Sequence, residues 1–371
     1  MLTSRRRLLL KATLLTSAGA FGGQLLGSRV VQAGTGAPSA GVEAGNSSAD
    51  PKALDSSPAG SGRSGPKDPA SGQAELPPGD LPFQVGDHRF GANGFQSALD
   101  ALADGGLLEI RQGMYNVTGV LRRNGVTIKS VGGKTIFDGL MRPEFPSQGK
   151  ALIVQQGSDA TYEDLVFRHV TAPSANGSGV RLEGSGTTRF LRCEFRDSDE
   201  GILTKNNDAY CHVYLEDCVG ERLGAGDGYS HGIYCGTIGS LTVRGGSWNH
   251  SRVGHLIKSR AALTRIENVV LDEGGASRAL DIPNGGVVEI SGSTFVQSLA
   301  TNNPEIIGYG LEVQEPHWPL NKFVFASSNK VVDRRVPPGQ VFAFAEWFDG
   351  AGDVRRYTYN GKSIDRPYTR R

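Results

Sequence analysis

Residues 230–286 read SHGIYCGTIGSLTVRGGSWNHSRVGHLIKSRAALTRIENVVLDEGGASRALDIPNGG and decide the fold. Short apolar runs alternate with Gly, Asn and Ser, and the pattern returns at 23 and 24 residues, from Val243 to Ile266 and from Ile266 to Ile290. That length fits one coil of three short strands and three turns. Antiparallel hairpins would instead show two-residue turns between neighbouring strands. The sequence therefore predicts an all-β chain, a right-handed parallel β-helix of about nine or ten coils.

The first 33 residues have the parts of an export signal. A basic start precedes an apolar stretch of small residues, and Val31-Gln32-Ala33 resembles a cleavage site. The run from Arg6 to Lys11 resembles a twin-arginine signal, with an ordinary secretory signal as the alternative. Because the apolar stretch is short and rich in Gly and Ala, no stable membrane span is expected after cleavage. We therefore expect a periplasmic or secreted protein.

The next boundary is a change in composition. Residues 34–80 are rich in Gly, Ser, Ala and Pro and predict a disordered linker. The β-helix is expected over 81–360, followed by a tail at 361–371. Phe95, Leu99 and Leu102 have helical spacing, and Gly105-Gly106 stops the helix. This short helix is expected to cap the open N-terminal end of the coil stack.

The charges and cysteines exclude some classes of partner. The whole chain has 39 basic and 38 acidic residues, and removing five basic residues with the export signal leaves 34 against 38. Nucleic-acid binding usually requires a basic excess, so no nucleic-acid partner is expected. No Cys-x-x-Cys or Cys/His cluster indicates a metal site. Cys193 with Cys218, and Cys211 with Cys235, are spaced to stack on adjacent coils, either as buried thiols or as disulfides.

One strand of each coil carries the groups that can do chemistry. Side chains alternate along a strand, and an unpaired charge inside the coil would cost several kcal/mol. Lys258 must therefore point outward, and the repeat gives it outward neighbours on the other coils. With coils about 4.8 Å apart, the predicted column is Arg181, Lys205, Tyr234, Lys258 and Asp281.

Two histidines flank this column. His231 lies three residues before Tyr234, and His255 lies three residues before Lys258. Strict alternation puts the members of each pair on opposite faces, which would bury His255 in the core. A β-bulge would let both members reach the outer groove. We predict catalytic roles for Lys258, Asp281, Tyr234, His231 and Arg260, and substrate binding by Arg181, Lys205, His255, Arg278, Asn284 and Glu305.

Two reactions fit such a column. β-Elimination on a uronic-acid polymer needs a base and cations that neutralise the developing enolate, and Lys258 or Tyr234 supplies the base. Glycoside hydrolysis needs two carboxyl groups at close range, for which Asp281 and Glu305 are candidates. A simple ion-pair ladder between Lys258 and Asp281, with no catalytic role, is the remaining interpretation.

The helix followed by strand, Gly-x-Tyr115 and strand resembles the N-terminal cap of right-handed β-helix proteins of the pectate lyase type. Lys258-Ser259-Arg260 resembles the Lys-Ser strand of β-helix lyases that act on alginate and chondroitin. In those lyases the lysine is the base and an arginine one coil later assists, whereas Asp281 stands at that place here. The strings GHLIKSRA and LDIPNGG resemble exported bacterial β-helix proteins, a resemblance that names no reaction.

These observations favour an enzyme that cleaves or epimerises a polysaccharide. A non-catalytic polysaccharide-binding or exopolysaccharide-assembly protein of the cell envelope, and a surface scaffold, are the alternatives. The protein is expected to be a monomer with no cofactor. Calcium is left open, because Asp197, Asp199 and Glu200 form one acidic turn.

Overall fold

The computed structural model of the chain describes residues 80–226, 228–349 and 353–365. The predicted export signal and all of the predicted linker except Asp80 lie outside the described residues. Helix α1 spans Phe95–Ala101. The strands in chain order are β1 (Phe83–Val85), β2 (His88–Phe90), β3 (Leu107–Tyr115), β4 (Gly119–Leu121), β5 (Thr127–Asp138), β6 (Ala151–Gln155), β7 (Thr161–Glu163), β8 (Leu165–Arg168), β9 (Ser178–Leu182), β10 (Gly186–Leu191), β11 (Glu194–Arg196), β12 (Glu200–Thr204), β13 (Asp208–Glu216), β14 (Val219–Glu221), β15 (Ile233–Cys235), β16 (Ile238–Arg244), β17 (Ser247–Ser251), β18 (His255–Ser259), β19 (Leu263–Glu267), β20 (Val270–Gly274), β21 (Arg278–Ile282), β22 (Val287–Ser291), β23 (Thr294–Gln297), β24 (Glu305–Tyr309), β25 (Lys322–Phe325), β26 (Lys330–Asp333), β27 (Gln340–Phe344), β28 (Asp353–Val354), β29 (Tyr357–Tyr359) and β30 (Lys362–Ile364).

The strands wind into a parallel β-helix, which confirms the predicted fold. Nine of them, one from each coil, form a parallel sheet in the order β4, β6, β9, β12, β15, β18, β21, β24 and β27, which we call the site sheet. Of the other strands, nearly all pair in parallel with the next coil along the remaining sides, where Val243 lies beside Ile266 and Ile266 beside Ile290. The residues whose spacing gave the period are therefore the residues in register.

Aromatic side chains stack along the interior at equivalent positions of successive coils. The rings of Phe137, Phe167 and Phe195 follow one another at 5.5 and 5.3 Å between centroids. Phe195 then stacks on Trp248 at 5.9 Å, across the intervening coil. That coil carries Gly220 in the same register, and a Cβ there would lie 2.0 Å from the indole ring. The stack thus requires glycine at 220, because the large indole fills the space of two side chains.

Helix α1 closes the N-terminal end of this interior, as predicted. Phe95 is 1% exposed and its ring lies 5.4 Å from that of Phe83 and 5.2 Å from that of Phe137. The helix therefore continues the core beyond the first coil and covers an apolar surface that would otherwise be a free edge. At the other end, β27 is the last strand of the site sheet, and the final strand, β30, ends at Ile364.

All four cysteines are buried free thiols. Cys193 and Cys218 immediately precede the paired strands β11 and β14, so they occupy equivalent places on adjacent coils, as the spacing predicted. Cys211 and Cys235 do not stack in this way, because Cys211 lies in β13 and Cys235 lies in the site sheet. In the described part of the chain, no helix is long and apolar enough to cross a lipid bilayer.

A buried acid inside the coils makes stability depend on pH. Glu273 is fully buried, its carboxyl accepts the Ala279 N–H at 2.9 Å, and burial raises its pKa from 4.5 to about 8. As pH rises, the unfolded state loses this proton first, so the stability present below pH 4.5 is lost by the time pH passes about 8. At about 1.4 kcal/mol for each pKa unit, the loss amounts to a few kcal/mol. We expect Glu273→Gln to flatten the pH dependence of urea denaturation.

The surface variant Glu109→Gln is the matched control for this prediction, since Glu109 is 34% exposed in its ion pair with Lys129. It should keep the wild-type pH profile. If Glu273→Gln and wild type lose stability equally between pH 5 and pH 8, Glu273 does not carry the effect.

Candidate functional site

Three predicted site residues lie side by side on the site sheet. Tyr234 of β15 is in register with Lys258 of β18, and Lys258 is in register with Asp281 of β21. Ile233, Ile257 and Leu280, the residues just before them, are fully buried in the core. The three polar side chains therefore leave the coil on its outer face, one coil apart.

Both histidines reach the same outer face, which the bulge alternative predicted and strict alternation did not. Leu256 and Ile257 are consecutive and both lie in the hydrophobic core, so the alternation is broken between His255 and Lys258. His255 Nε2 consequently lies 3.6 Å from Asp281 Oδ2. On the preceding coil the rings of His231 and Tyr234 meet edge to face at 5.2 Å. A second polar column thus runs beside the first.

The histidine rings are held as a neutral stacked pair. The rings of His231 and His255 lie parallel at 4.9 Å, and the backbone N–H of His255 donates to His231 Nδ1 at 3.0 Å. Burial lowers the pKa of His231 well below its usual range, and the neighbouring His255 and Lys258 lower it further. Burial, with Lys258 and Arg278 nearby, lowers the pKa of His255 to about 3. Since its Nδ1 is an acceptor, neutral His231 carries its proton on Nε2.

Lys258 is the centre of the charged groups. Its side chain points outward yet is only 9% exposed, because carboxyl groups cover it on two sides. Its Nζ lies 3.6 Å from Asp281 Oδ2 and 2.5 Å from Glu312 Oε1. Lys258 is therefore ion-paired with two carboxyl groups at once.

Arg260 is fixed from three directions. Its Nε donates to the Tyr234 hydroxyl at 3.3 Å, and its Nη1 donates to Asn284 Oδ1 at 2.5 Å. Its Nη2 pairs with Glu312 Oε2. Because Asn284 is only 6% exposed, its bond fixes the plane of the guanidinium from a buried position.

Arg278 links two carboxyl groups on neighbouring coils. Its Nη1 lies 3.5 Å from Asp281 Oδ1 and its Nη2 lies 3.2 Å from Glu305 Oε2. Burial raises the pKa of Asp281, although Lys258 and Arg278 act in the opposite direction. For Glu312, partial burial raises the pKa, but hydrogen bonds and charge from Lys258 and Arg260 outweigh it and lower the pKa overall. The site thus holds one carboxyl group that favours its proton and one that favours its charge.

The prediction that Lys205 belongs to the column is wrong. Tyr234 is in register with Leu203, and Leu203 is in register with Arg181, so an apolar side chain separates Arg181 from the charged groups. Lys205 lies two residues further along and pairs with Asp208 Oδ2 at 2.6 Å. Hydrogen bonds from Lys205 and Ser185 lower the pKa of Asp208 to about 2. The error arose because the coil between Leu203 and Tyr234 contains a long turn.

Glu312 was missed by the sequence reasoning. It lies in the segment 310–321 between β24 and β25, outside any strand, where period arguments do not apply. The signal was the interval between Val288 and Phe323, which are in register although 35 residues apart. Such an interval exceeds one coil by a long insertion, and the insertion follows directly on a strand of the site sheet.

The acidic turn does not converge on one point. Asp197 pairs with Arg222 at 2.7 Å, and Asp199 Oδ2 accepts the N–H groups of Ala172 and Gly177 at 2.8 and 3.1 Å. Glu200 is fully buried at the start of β12. Among residues 80–226, 228–349 and 353–365, no group of three or more His, Cys, Asp or Glu side chains is arranged to hold a metal ion.

Comparisons with known proteins give little beyond this geometry. No protein family and no curated protein matches the chain. Among solved structures, a pectin methylesterase from Yersinia enterocolitica aligns with 70% of this chain and 87% of its own, at a TM-score of 0.37 and 10% identity. A pectin methylesterase variant in complex with a hexasaccharide aligns with 76% of this chain and 89% of its own, at a TM-score of 0.34 and 11% identity.

Proposed function

We propose that the protein is an exported polysaccharide lyase that cleaves a uronic-acid polymer by β-elimination on the outer face of the site sheet. The observation that carries the proposal is the contact between a phenol and two cations. The Tyr234 hydroxyl accepts from Arg260 Nε at 3.3 Å, and Lys258 Nζ lies 5.9 Å from the centre of the Tyr234 ring. Cations fixed beside a reacting group stabilise the charge that develops during the reaction.

The two cations suit both negative charges of the elimination. The base acts as the phenolate of Tyr234, and its negative charge passes to the enolate that forms when the carbon next to the carboxylate loses its proton. A phenolate at Tyr234 is stabilised by the guanidinium of Arg260, and the enolate is stabilised by the same guanidinium and by the ammonium of Lys258. Lys258, held between two carboxyl groups, serves as a cation in this scheme and Tyr234 serves as the base.

Tyr234 alone can both accept and return the proton in this reaction. The phenolate of Tyr234 takes the proton next to the carboxylate and becomes the phenol, and the electron pair of that C–H bond moves into the enolate. The enolate then expels the glycosidic oxygen from the neighbouring carbon, which leaves a carbon–carbon double bond in the sugar. The phenol returns its proton to the departing oxygen, so the enzyme ends in its starting state.

Product analysis tests the reaction class. The mature protein should be incubated with polygalacturonate, alginate and a glucuronan, and with a neutral glucan as control. We expect ultraviolet absorbance from an unsaturated uronate with at least one of the acidic polymers and none with the glucan. New reducing ends without that absorbance would replace the lyase with a hydrolase. Retention of a polymer without any product would leave only a binding protein of the cell envelope.

A hydrolase is the second candidate because of the carboxyl groups on Arg278. Asp281 and Glu305 share this guanidinium, and burial raises the pKa of Asp281, which suits a general acid. Glu305, at 21% side-chain exposure, is open enough to activate water. Asp281, at 2% exposure, is almost closed to a glycosidic oxygen, and this favours the lyase.

A further inference from the structure

We propose that Lys258 and Arg260 form a carboxylate-binding subsite, and that Glu312 occupies it until the carboxylate of a substrate uronate displaces it. This inference rests on the proposed function and names the group that the site recognises. Glu312 offers one oxygen to each cation, Oε1 to Lys258 at 2.5 Å and Oε2 to Arg260. A uronate carboxylate has the same two oxygens in the same planar arrangement.

The receiving groups are built into the coils and stay in place without Glu312. Lys258 is in register with Tyr234 and Asp281, and Arg260 is held by Tyr234 and Asn284. An arginine whose other nitrogens are already bonded keeps Nη2 aimed at one point. The carboxylate position is therefore preorganised.

Glu312 itself is only loosely bound to the fold. Its side chain is 41% exposed, and its backbone N–H reaches Pro283 O at 3.4 Å. The surrounding segment is anchored by other groups, because the Trp318 Nε1–H donates to Arg260 O and the Trp347 Nε1–H donates to Val313 O, both at 3.0 Å. The Glu312 side chain can thus turn to solvent while the segment stays where it is.

Charge balance selects a carboxylate as the incoming group. Removing the Glu312 carboxylate without replacement leaves Arg260 unpaired and Lys258 with Asp281 alone, and unpaired buried charge is costly. A monoanionic carboxylate restores the original balance, whereas a neutral sugar does not. The same guanidinium contacts the Tyr234 hydroxyl, so a carboxylate bound there brings its neighbouring C–H bond toward the proposed base.

Competition by a tethered group weakens the apparent affinity for the free ligand. A side chain attached next to its own site acts at an effective concentration in the millimolar range, and the apparent Kd rises as the free fraction of the subsite falls. We expect Glu312→Gln to bind galacturonate or glucuronate about tenfold more tightly than wild type, as measured by calorimetry or NMR titration. Galactose, which has no carboxylate, should bind wild type and Glu312→Gln with the same affinity.

The matched control is Glu289→Gln, since Glu289 is 39% exposed and pairs with Arg265 away from the site sheet. It should bind uronates as wild type does. Glu312→Ala serves as a second variant, and thermal unfolding confirms that each variant is folded. Equal or weaker uronate binding by both Glu312 variants would overturn the inference.

Monosaccharide binding also separates this inference from the proposed reaction, because no glycosidic bond is broken. Tighter uronate binding by Glu312→Gln with no turnover of any polymer would keep the subsite and remove the lyase. Turnover by wild type with unchanged uronate binding in the Glu312 variants would keep the lyase and remove the displacement.

Discussion

Tyr234→Phe is expected to lower kcat on the acidic polymer by about 10²- to 10⁴-fold, the usual contribution of general acid–base catalysis. The change removes one oxygen and its hydrogen bond from Arg260 and nothing else. The ring still meets His231 edge to face, and Lys258 still lies over it. Because Arg260 of the proposed carboxylate subsite keeps its bond to Asn284, KM should change much less than kcat. Steady-state kinetics of product absorbance measure both constants.

Tyr214→Phe is the control for this prediction. Tyr214 is half-buried in β13, outside the site sheet, and its hydroxyl bonds Glu216 at 2.5 Å, so the same atom is removed from a comparable environment. It should leave kcat unchanged. Retained product absorbance in Tyr234→Phe, together with its loss in Asp281→Asn, would assign the proton transfer to Asp281 instead of Tyr234.

The fold could be predicted from sequence because its determinants repeat. Each coil must bury the same kind of side chain at the same place, so Val243, Ile266 and Ile290 report the register directly. The same logic put Tyr234, Lys258 and Asp281 in one column, since a charged side chain cannot enter the interior unpaired. Periodicity therefore predicts position wherever the coil keeps its length.

Where the length of a coil changes, the period no longer predicts which residues are aligned on neighbouring coils. Lys205 was predicted to lie in the column because a charged side chain at the end of its strand should point outward, but the long turn shifts the register, and Leu203 is the aligned residue. Glu312 lies in an insertion, whose path depends on tertiary contacts such as those of Trp318 and Trp347. No local pattern encodes those contacts.

For the two histidines, the sequence did not fix which face of the strand each side chain occupies. Alternation along a strand predicts a face only while the strand stays regular. The strand of His255 is not regular, because the consecutive residues Leu256 and Ile257 both lie in the core. Two adjacent apolar residues in a strand with a solvent-facing side are therefore the sequence pattern that indicates the irregularity. Ala279-Leu280 and Ile306-Ile307 repeat it on the next two coils.

Lys258→Met is expected to destabilise the protein by about 3 kcal/mol, near the lower end of the cost of breaking a buried ion pair. The substitution keeps an unbranched side chain that is one atom shorter, but leaves Asp281, 2% exposed, with Arg278 as its remaining cation at 3.5 Å. The cost stays at the lower end because Glu312 is 41% exposed and can turn to water. Urea denaturation at neutral pH measures the change, and Lys134→Met, which breaks an ion pair with the lysine 40% exposed, should cost less than about 1 kcal/mol.

The double variant Lys258→Met/Asp281→Asn should recover most of the lost stability, because it removes both buried charges rather than one. Both variants should cleave the polymer more slowly than wild type, since the enolate keeps only the guanidinium of Arg260. The deficit of the single variant should shrink as pH falls, because a protonated Asp281 needs no cation, and its stability should decline as pH rises and the carboxyl ionises. A deficit that is independent of pH and equal in both variants would mean that Lys258 acts through packing rather than through its charge.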